Sequence, residues 1–528
     1  MKNSFLFGVA AIALGACGGA TGGDPADVDA ALLQLNLKDS GTGRVEFEDK
    51  SISGADAIFK NVKIKTSDFA GEEEEDELED GMYGASIETE SADLGIEEMA
   101  LAGLEIDDAG KANFSKMTLN KISAIPTEED DTDTITVSKF ELVDPTPEMA
   151  AWLGGVFGTA EKADLPAVEN VKFSKLEVTD MLAQSNDPDE QAVIKLGSLL
   201  ATDYGGEKVG EMAISGFDVS FTDPDSGAPG SFSLGSISLK GMKSDILNAM
   251  FADEDESADE LMSAMYSNPT DPGFDDFSLS DFAFDMAGLK MSLPSMSYEV
   301  DRNSDGEPTK FTVPKFTLTV DVDDQGGDIG AQLAPMLLMV GFEDLVITGE
   351  SLSTYDPETD IATAEKGVFS IKDALTISST SKIGGMKELG EVMQNLDSEA
   401  FENGEQDPTQ LAMDMYSKLD FYQMEIKLKD EGAINKGLTF FAAQQGMEPE
   451  QLRQMAAGMV AGLPMMAANM GIDPALSTEL ASAGSKFITE GGTLTLSFEP
   501  AEPFTVTAFM GDPTTITKER LGFSATVE

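Results

Sequence analysis

Asp301-Arg302-Asn303-Ser304-Asp305-Gly306 places Asp301, Asn303 and Asp305 at alternate positions, as the opening of a calcium loop does. Such a loop ends in a bidentate Glu at its twelfth position. Thr312 stands there instead, and the flanking stretches read as strands. A β-hairpin turned by Asn303 and Asp305-Gly306 accounts for the same residues, with weak Ca2+ binding as the alternative reading. Asp321-Val322-Asp323-Asp324 with Asp328, and Asp223-Pro224-Asp225-Ser226-Gly227, are acid-rich turns open to the same two readings. Other chemistry is thinly represented. The chain has no histidine, which removes Ser-His-Asp and Cys-His catalysis and His-ligated zinc. Glycoside hydrolysis needs only two carboxylates, but no pair stands out among 97 Asp and Glu. No phosphate loop, nucleophile elbow or dinucleotide fingerprint is present. The expectation is a non-enzyme.

Cys17 is the only cysteine, so no intramolecular disulfide can form. Before it come Met1-Lys2-Asn3 with one positive charge, an apolar run from Phe5 to Leu14, and Leu14-Gly15-Ala16. A charged start, a short apolar stretch and small residues before the cut make a secretory signal. The run is too short to span a bilayer, which takes about 20 residues. Leu14 to Cys17 resembles the lipobox of bacterial lipoproteins. That resemblance covers only the first 17 residues. It implies cleavage before Cys17, a diacylglyceryl group on its sulfur and acylation of the new amino group. Two or more acyl chains anchor stably where one does not. Gly18, Gly19, Gly22 and Gly23 then suit a flexible tether. Gly18, in place of the Asp that marks inner-membrane retention in such lipoproteins, implies an outer-membrane address in the cell envelope.

The remaining chain is strongly acidic, with 97 Asp and Glu against 34 Lys and Arg and a formal charge of −63. Phosphate backbones are bound by Lys and Arg, so nucleic acid is excluded as a partner, and anionic lipid is repelled. Self-repulsion of this size calls for salt or bound cations. The sequence is nonetheless 41% hydrophobic, with 30 Phe and 28 Met, enough to bury a large core. The acidic block at Glu72 to Asp80 reads as a loop.

The elements that carry these residues read mainly as strands. A short pattern recurs: apolar, two small or polar residues, apolar, any, apolar. It appears as Phe59-Lys60-Asn61-Val62-Lys63-Ile64, Phe114-Ser115-Lys116-Met117-Thr118-Leu119, Val137-Ser138-Lys139-Phe140-Glu141-Leu142 and Phe173-Ser174-Lys175-Leu176-Glu177-Val178. Three more copies begin at Ile214, Leu279 and Val313, and Ile96 to Ile106 holds two overlapping ones. In a regular strand, residues two apart share a face. The first apolar position of each copy therefore faces away from the other two, unless the chain bends or bulges between them. Phe140 with Leu142, Phe217 with Val219, and Phe316 with Leu318 are expected to be buried together.

Helical insertions are expected over Glu148–Lys162, which holds Trp152, and over Met242–Phe251 and Ser257–Tyr266. After Ile383, helices are expected over Met386–Leu396, Pro408–Leu419, Lys436–Gln445, Glu450–Asn469 and Ala475–Phe487. Closing strands follow over Thr493–Phe498, Phe504–Ala508 and Leu521–Val527. The run from Met455 to Ile472 lacks charge and spaces Gly458 and Gly462 as GxxxG. A membrane-inserted helix is one reading; because the run is broken by Pro464 and contains Asn469, a buried helix or a tight helix pair packing through small residues is the expectation.

The fold class is thus α+β and sheet-dominated: a long curved antiparallel sheet or a sandwich, with helical insertions and a helical segment near the C-terminus. The expected divisions are a signal peptide (1–16), a lipidated tether (17–31), a β-rich region (32–382) and a helical region with closing strands (383–528). The repeated strand pattern loosely resembles the β-rich AsmA and YdgA type of envelope protein, which implies a long curved sheet and, for some members, a part in lipid traffic. The functional expectation is a non-enzymatic lipoprotein scaffold or binding module, held to the membrane by its anchor and meeting an envelope protein or an apolar ligand. A periplasmic lipid carrier and an acidic protein binding divalent cations at the surface are the alternatives.

Overall fold

The computed structural model describes residues 25–65, 93–125, 133–159, 172–185, 192–222, 228–244, 246, 270–323, 328–394, 413, 415–469, 471–505 and 516–528. Cys17, the acidic block at 72–80, the turn at 223–227 and the expected helix at 257–266 lie outside them. The chain forms two compact units, Met1–Ser244 and Asp245–Glu528.

The first unit runs α1 (Pro25–Gln34), β1 (Val45–Glu46), β2 (Asp49–Ser53), β3 (Asp56–Ile64), β4 (Asp93–Ala102), β5 (Glu105–Ile106), β6 (Ala112–Asn113), β7 (Lys116–Ile125), β8 (Thr134–Val143), α2 (Pro147–Phe157), β9 (Phe173–Gln184), β10 (Ala192–Tyr204), β11 (Lys208–Thr222) and β12 (Pro229–Lys243). Strands β3, β4 and β7 to β12 each pair antiparallel with the next, while β1 and β2 pair with the free side of β3. The short hairpin β5–β6 stands apart from this sheet.

Helix α1 starts at Pro25, inside the stretch expected to be tether. Its Val28, Ala31 and Leu32 follow helical spacing and are fully buried, with Leu35 and Leu37 just beyond its end. They meet Met149, Ala150, Leu153, Val156 and Phe157 of α2 over Phe59, Ile64, Met99, Leu101, Phe140 and Leu142 of the sheet. Apolar burial therefore fixes the chain from Val28, eleven residues after Cys17. Each buried Phe or Leu contributes about 1.5–3 kcal/mol. Pro147 opens α2, where its missing N–H would be unpaired in any case. Buried Arg44 donates to the carbonyl oxygen of Gly158 at 3.2 Å, meeting the end of that helix.

The second unit contains β13 (Asp276–Met286), β14 (Leu289–Arg302), β15 (Pro308–Val322), α3 (Asp328–Val340), β16 (Asp344–Asp356), β17 (Ile361–Ile371), β18 (Leu375–Gly384), α4 (Met386–Gln394), β19 (Asp420–Asp430), α5 (Ala433–Gln445), α6 (Pro449–Ala461), α7 (Leu463–Asn469), α8 (Pro474–Glu490), β20 (Thr493–Phe498), β21 (Phe504–Thr505), α9 (Lys518–Leu521) and β22 (Phe523–Val527). Strands β13 to β19 form an antiparallel meander. β20 and β21 pair with β19, and β22 with β20. Asp473 caps α8 by accepting the Ala475 N–H at 2.8 Å, and its second oxygen accepts the Lys518 N–H at 2.7 Å. Ala483 of α8 packs with Leu521, Phe523 and Ala525 in a small core of its own.

The chain is thus sheet-dominated and antiparallel, with helices added. The boundary expected at 382/383 marks a change of composition within the second unit. β19, β20 and β22 continue the sheet of β18 past it, so the helices after 385 belong to the same unit as the strands before them. Helix α3 was not expected; its apolar run follows an acidic turn that masked it in the sequence.

Candidate functional site

The recurring pattern builds one apolar face by an unexpected route. In β3 the first apolar residue, Phe59, is buried in the same core as Val62 and Ile64. Val137 joins Phe140 and Leu142 likewise, and Ile96 joins Met99 and Leu101. All three positions therefore face one way, because the chain re-phases between the first two. Asn61 (φ +49) and Gly216 (φ +60) lie between the first two positions of their copies, whereas Lys121 (φ +54) and Asp180 (φ +52) lie two residues past the last position of theirs. A left-handed residue in mid-strand reverses the alternation for one step. It costs an L-residue roughly 1–2 kcal/mol, less for Asn and Asp and nothing for Gly.

The breaks are aligned from strand to strand. Lys60 pairs with Glu98 and Val62 with Ile96, and the ladder skips Asn61 and Glu97 between them. Neighbouring ladders skip Lys121, Ser138, Asp180, Gly197, Gly216 and Gly235 in turn. The skipped residues form a crease across β3 to β12. At its centre a Cβ on Gly197 would lie 3.0 Å from the Ser215 carbonyl oxygen, so the backbones approach closely there. In the second unit Asp281 (φ +50) and Pro294 make the same break between β13 and β14. β15 slips by one residue against β16 between Val313 and Phe316, a bulge at that copy of the pattern.

Either side of the crease, directly opposed residues stack apolar rows. One runs Phe140, Val178, Leu199, Ile214, Ile237, and the other Val137, Met181, Leu196, Phe217, Leu234. The rows leave the core near β9. Of the large apolar side chains on β10 to β12, only Val209 and Met242 are buried, while Leu196, Ile214, Phe217, Val219, Leu234 and Ile237 are half-exposed. Phe217 and Phe232 meet edge to face at 5.8 Å. The expected joint burial holds at Phe140 and Leu142. It fails at Phe217 and Val219, half-exposed because the α1–α2 layer that seals Phe140 contacts the β5–β6 side of the first unit, and at Phe316 and Leu318, which are half-exposed in the second unit.

The opposite face is polar, and here the repeats converge in charge. Lys116, Lys139 and Lys175 are the third residues of three copies, on adjacent strands β7, β8 and β9. Their ammonium groups lie 3.1, 2.5 and 3.1 Å from the carboxylate of Glu141, which is only 7% exposed. Lys175 also reaches Glu177 at 3.0 Å. Burial pushes the Glu141 carboxyl up, but the three lysine hydrogen bonds outweigh it and hold the group at about 2. A carboxylate so held is ionised at neutral pH and serves as the hub of an ion-pair network, not as a general acid or base. The Ser-Lys-apolar-Glu wording of the copies at 137 and 173 was the sequence signal for this hub, and composition alone hid it.

The expected cation ligands sit in the β14–β15 hairpin. Asp301 is ion-paired with Lys310 at 2.8 Å. The Asn303 side-chain oxygen accepts the N–H groups of Asp305 and Glu307 at 3.0 and 2.9 Å, closing the turn. Beside it, Arg302 donates to Asp271 at 2.9 Å, to Asp275 and to the Phe274 carbonyl oxygen, which fixes the base of the hairpin. No cluster of three or more Asp, Glu, His or Cys suited to a metal occurs among the described residues.

A family model described only as "Uncharacterized protein" matches residues 368–528, from within β17 to the end. No curated protein matches the chain.

Proposed function

We propose that this chain is a non-enzymatic lipoprotein of the cell envelope, anchored through acylated Cys17 at the outer membrane, whose sheet carries an acyl chain or a similar apolar ligand. The observation that carries the reading is the pair of apolar rows that leave the sealed core and continue, half-exposed, across β10 to β12. Contiguous apolar surface left partly open to solvent is where ligands or partners bind. Regular Leu, Ile and Phe side chains without a charged group among them suit a hydrocarbon chain and specify no polar head. The loose resemblance of the strand pattern to AsmA and YdgA proteins supports a long curved sheet and lipid handling, and the lipobox supports the address.

Two measurements test this. Cys17→Ser should abolish labelling by a palmitate analogue, and persistent labelling sinks the anchor. Native mass spectrometry of protein released from its own envelope should show a co-purifying lipid that is lost in the Ile214→Asp, Phe217→Asp double variant. Protein that arrives empty, or an unchanged ligand in the variant, overturns the carrier reading.

A further inference from the structure

Charged residues make up 25% of the chain, yet residues 329–342 and 454–472 carry none. The first run is most of α3, and the second spans the end of α6 and all of α7. The two runs share one helical layer of the second unit. Lys436 of α5 donates to the Gly341 carbonyl oxygen and lies 4.2 Å from the centre of the Phe342 ring. Arg453 of α6 reaches Asn435 of α5 and the Ile488 carbonyl oxygen of α8. Buried Ala457 of α6 and Ala467 of α7 turn inward, and Val460 meets Gly484 of α8.

Exposed apolar side chains concentrate on this layer, beside exposed polar ones such as Thr439, Gln451 and Gln454. Met336, Leu338 and Met339 of α3, Phe441 of α5, and Met455, Met459, Leu463, Met465 and Met466 of α6 and α7 make up nine of the fifteen exposed large hydrophobic residues among the described ones. Met459, Met465 and Met466 are 73%, 79% and 64% exposed. The run expected to be buried does pack through small residues on one side, at Ala457 and Ala467, but it is not buried as a whole. A Cβ placed on Gly458 would meet nothing within 4 Å, so this glycine faces outward. Packing on α8 needs only the alanine side of each helix, which leaves the methionines outside.

We propose that this face lies in the headgroup–acyl boundary of a zwitterionic lipid surface. Its chemistry selects that occupant. A second copy would bring another formal charge of −63 into contact, which self-repulsion opposes. Anionic lipid is repelled in the same way. Tyr and Trp anchor specific protein interfaces, and neither is among the nine exposed hydrophobic residues. Flexible methionine and leucine side chains suit a fluid apolar partner without fixed shape. No helix among the described residues is long and apolar enough to cross a membrane, so the contact is with one leaflet. These helices belong to the second unit and the β10–β12 rows to the first, and the proposal stands or falls apart from the carrier reading.

The test uses full-length protein with Cys17→Ser, so that no acyl anchor contributes, in flotation with phosphatidylcholine vesicles. The protein should float with these vesicles, and less with phosphatidylglycerol-rich vesicles at low salt. A Met459→Asp, Met465→Asp double variant should lose about tenfold or more of its partition while keeping its melting midpoint, because both sites are exposed and a charge at apolar depth is costly. The Ile214→Asp, Phe217→Asp variant should float as before. Failure of the parent to float, or equal flotation of the methionine variant, overturns the proposal. So does a dimer in the parent that the methionine variant dissolves, since the face would then be a contact between copies.

Discussion

At Glu141 the sequence repeat becomes an electrostatic device. The folded carboxyl sits at about 2, against an ordinary value of 4.5. A lowered folded value stabilises fully above the unfolded value and loses that stabilisation as pH falls through the folded one. Glu141→Gln should therefore lower stability at pH 7, on the order of 1–3 kcal/mol, by leaving three lysines around a neutral group. The gap between parent and variant should close as pH drops from about 4.5 towards 2. Urea midpoints measured across that range check it, and a gap independent of pH would remove Glu141 from the account. Asp301 and Asn303, expected from their spacing to ligate a cation, show the opposite lesson. Their spacing was plain in the sequence, but the same spacing serves a hairpin, and the Lys310 that pairs with Asp301 lies nine residues on.

Strand existence was legible at the level of elements because alternation is a local signal. The spacing of three within each copy was legible too, but its direction was not. Asn61, Asp180 and Gly216 advertise a left-handed residue, whereas Lys121 does not, and only the ladders show that the breaks are aligned. Burial was the least legible property, since Phe140 and Phe316 occupy identical places in the pattern. One lies in the sealed core and the other is half-exposed over Gly349. Phe140→Ala should cost about 3–5 kcal/mol. Phe316→Ala should cost clearly less, about 1–2 kcal/mol, because the removed ring was still partly in water. Thermal melts of the two variants side by side decide the point; equal losses would mean that the face at β15 is as sealed as the core.

For the molecule as a whole, charge sets the working conditions. Removal of residues 1–16 takes Lys2 away and moves the formal charge from −63 to −64. Added salt should raise the melting midpoint by screening this repulsion. At matched ionic strength, calcium should exceed sodium only if specific sites such as the β14–β15 hairpin hold it. Equal midpoints in calcium, magnesium and sodium would leave screening as the whole effect. The proposed address at Cys17 is carried by a short motif that needs no fold, so it could be read from the sequence more directly than any property of the sheet.

The crease has a consequence for how such a sheet is assembled and how it changes over time. Strands rich in Ser, Leu, Phe and Ile resemble one another, so many wrong pairings would bury nearly as much apolar surface as the right one. A strand displaced by two residues sets its break against an unbroken neighbour, so the residues between the two breaks fall out of phase and apolar side chains there meet polar ones. Each break thus works as the notch of a key, admitting one alignment out of several close competitors. A duplicated hairpin carries its own notch, so new strands can join the array already in phase, and the protein can lengthen without inventing a new way to align.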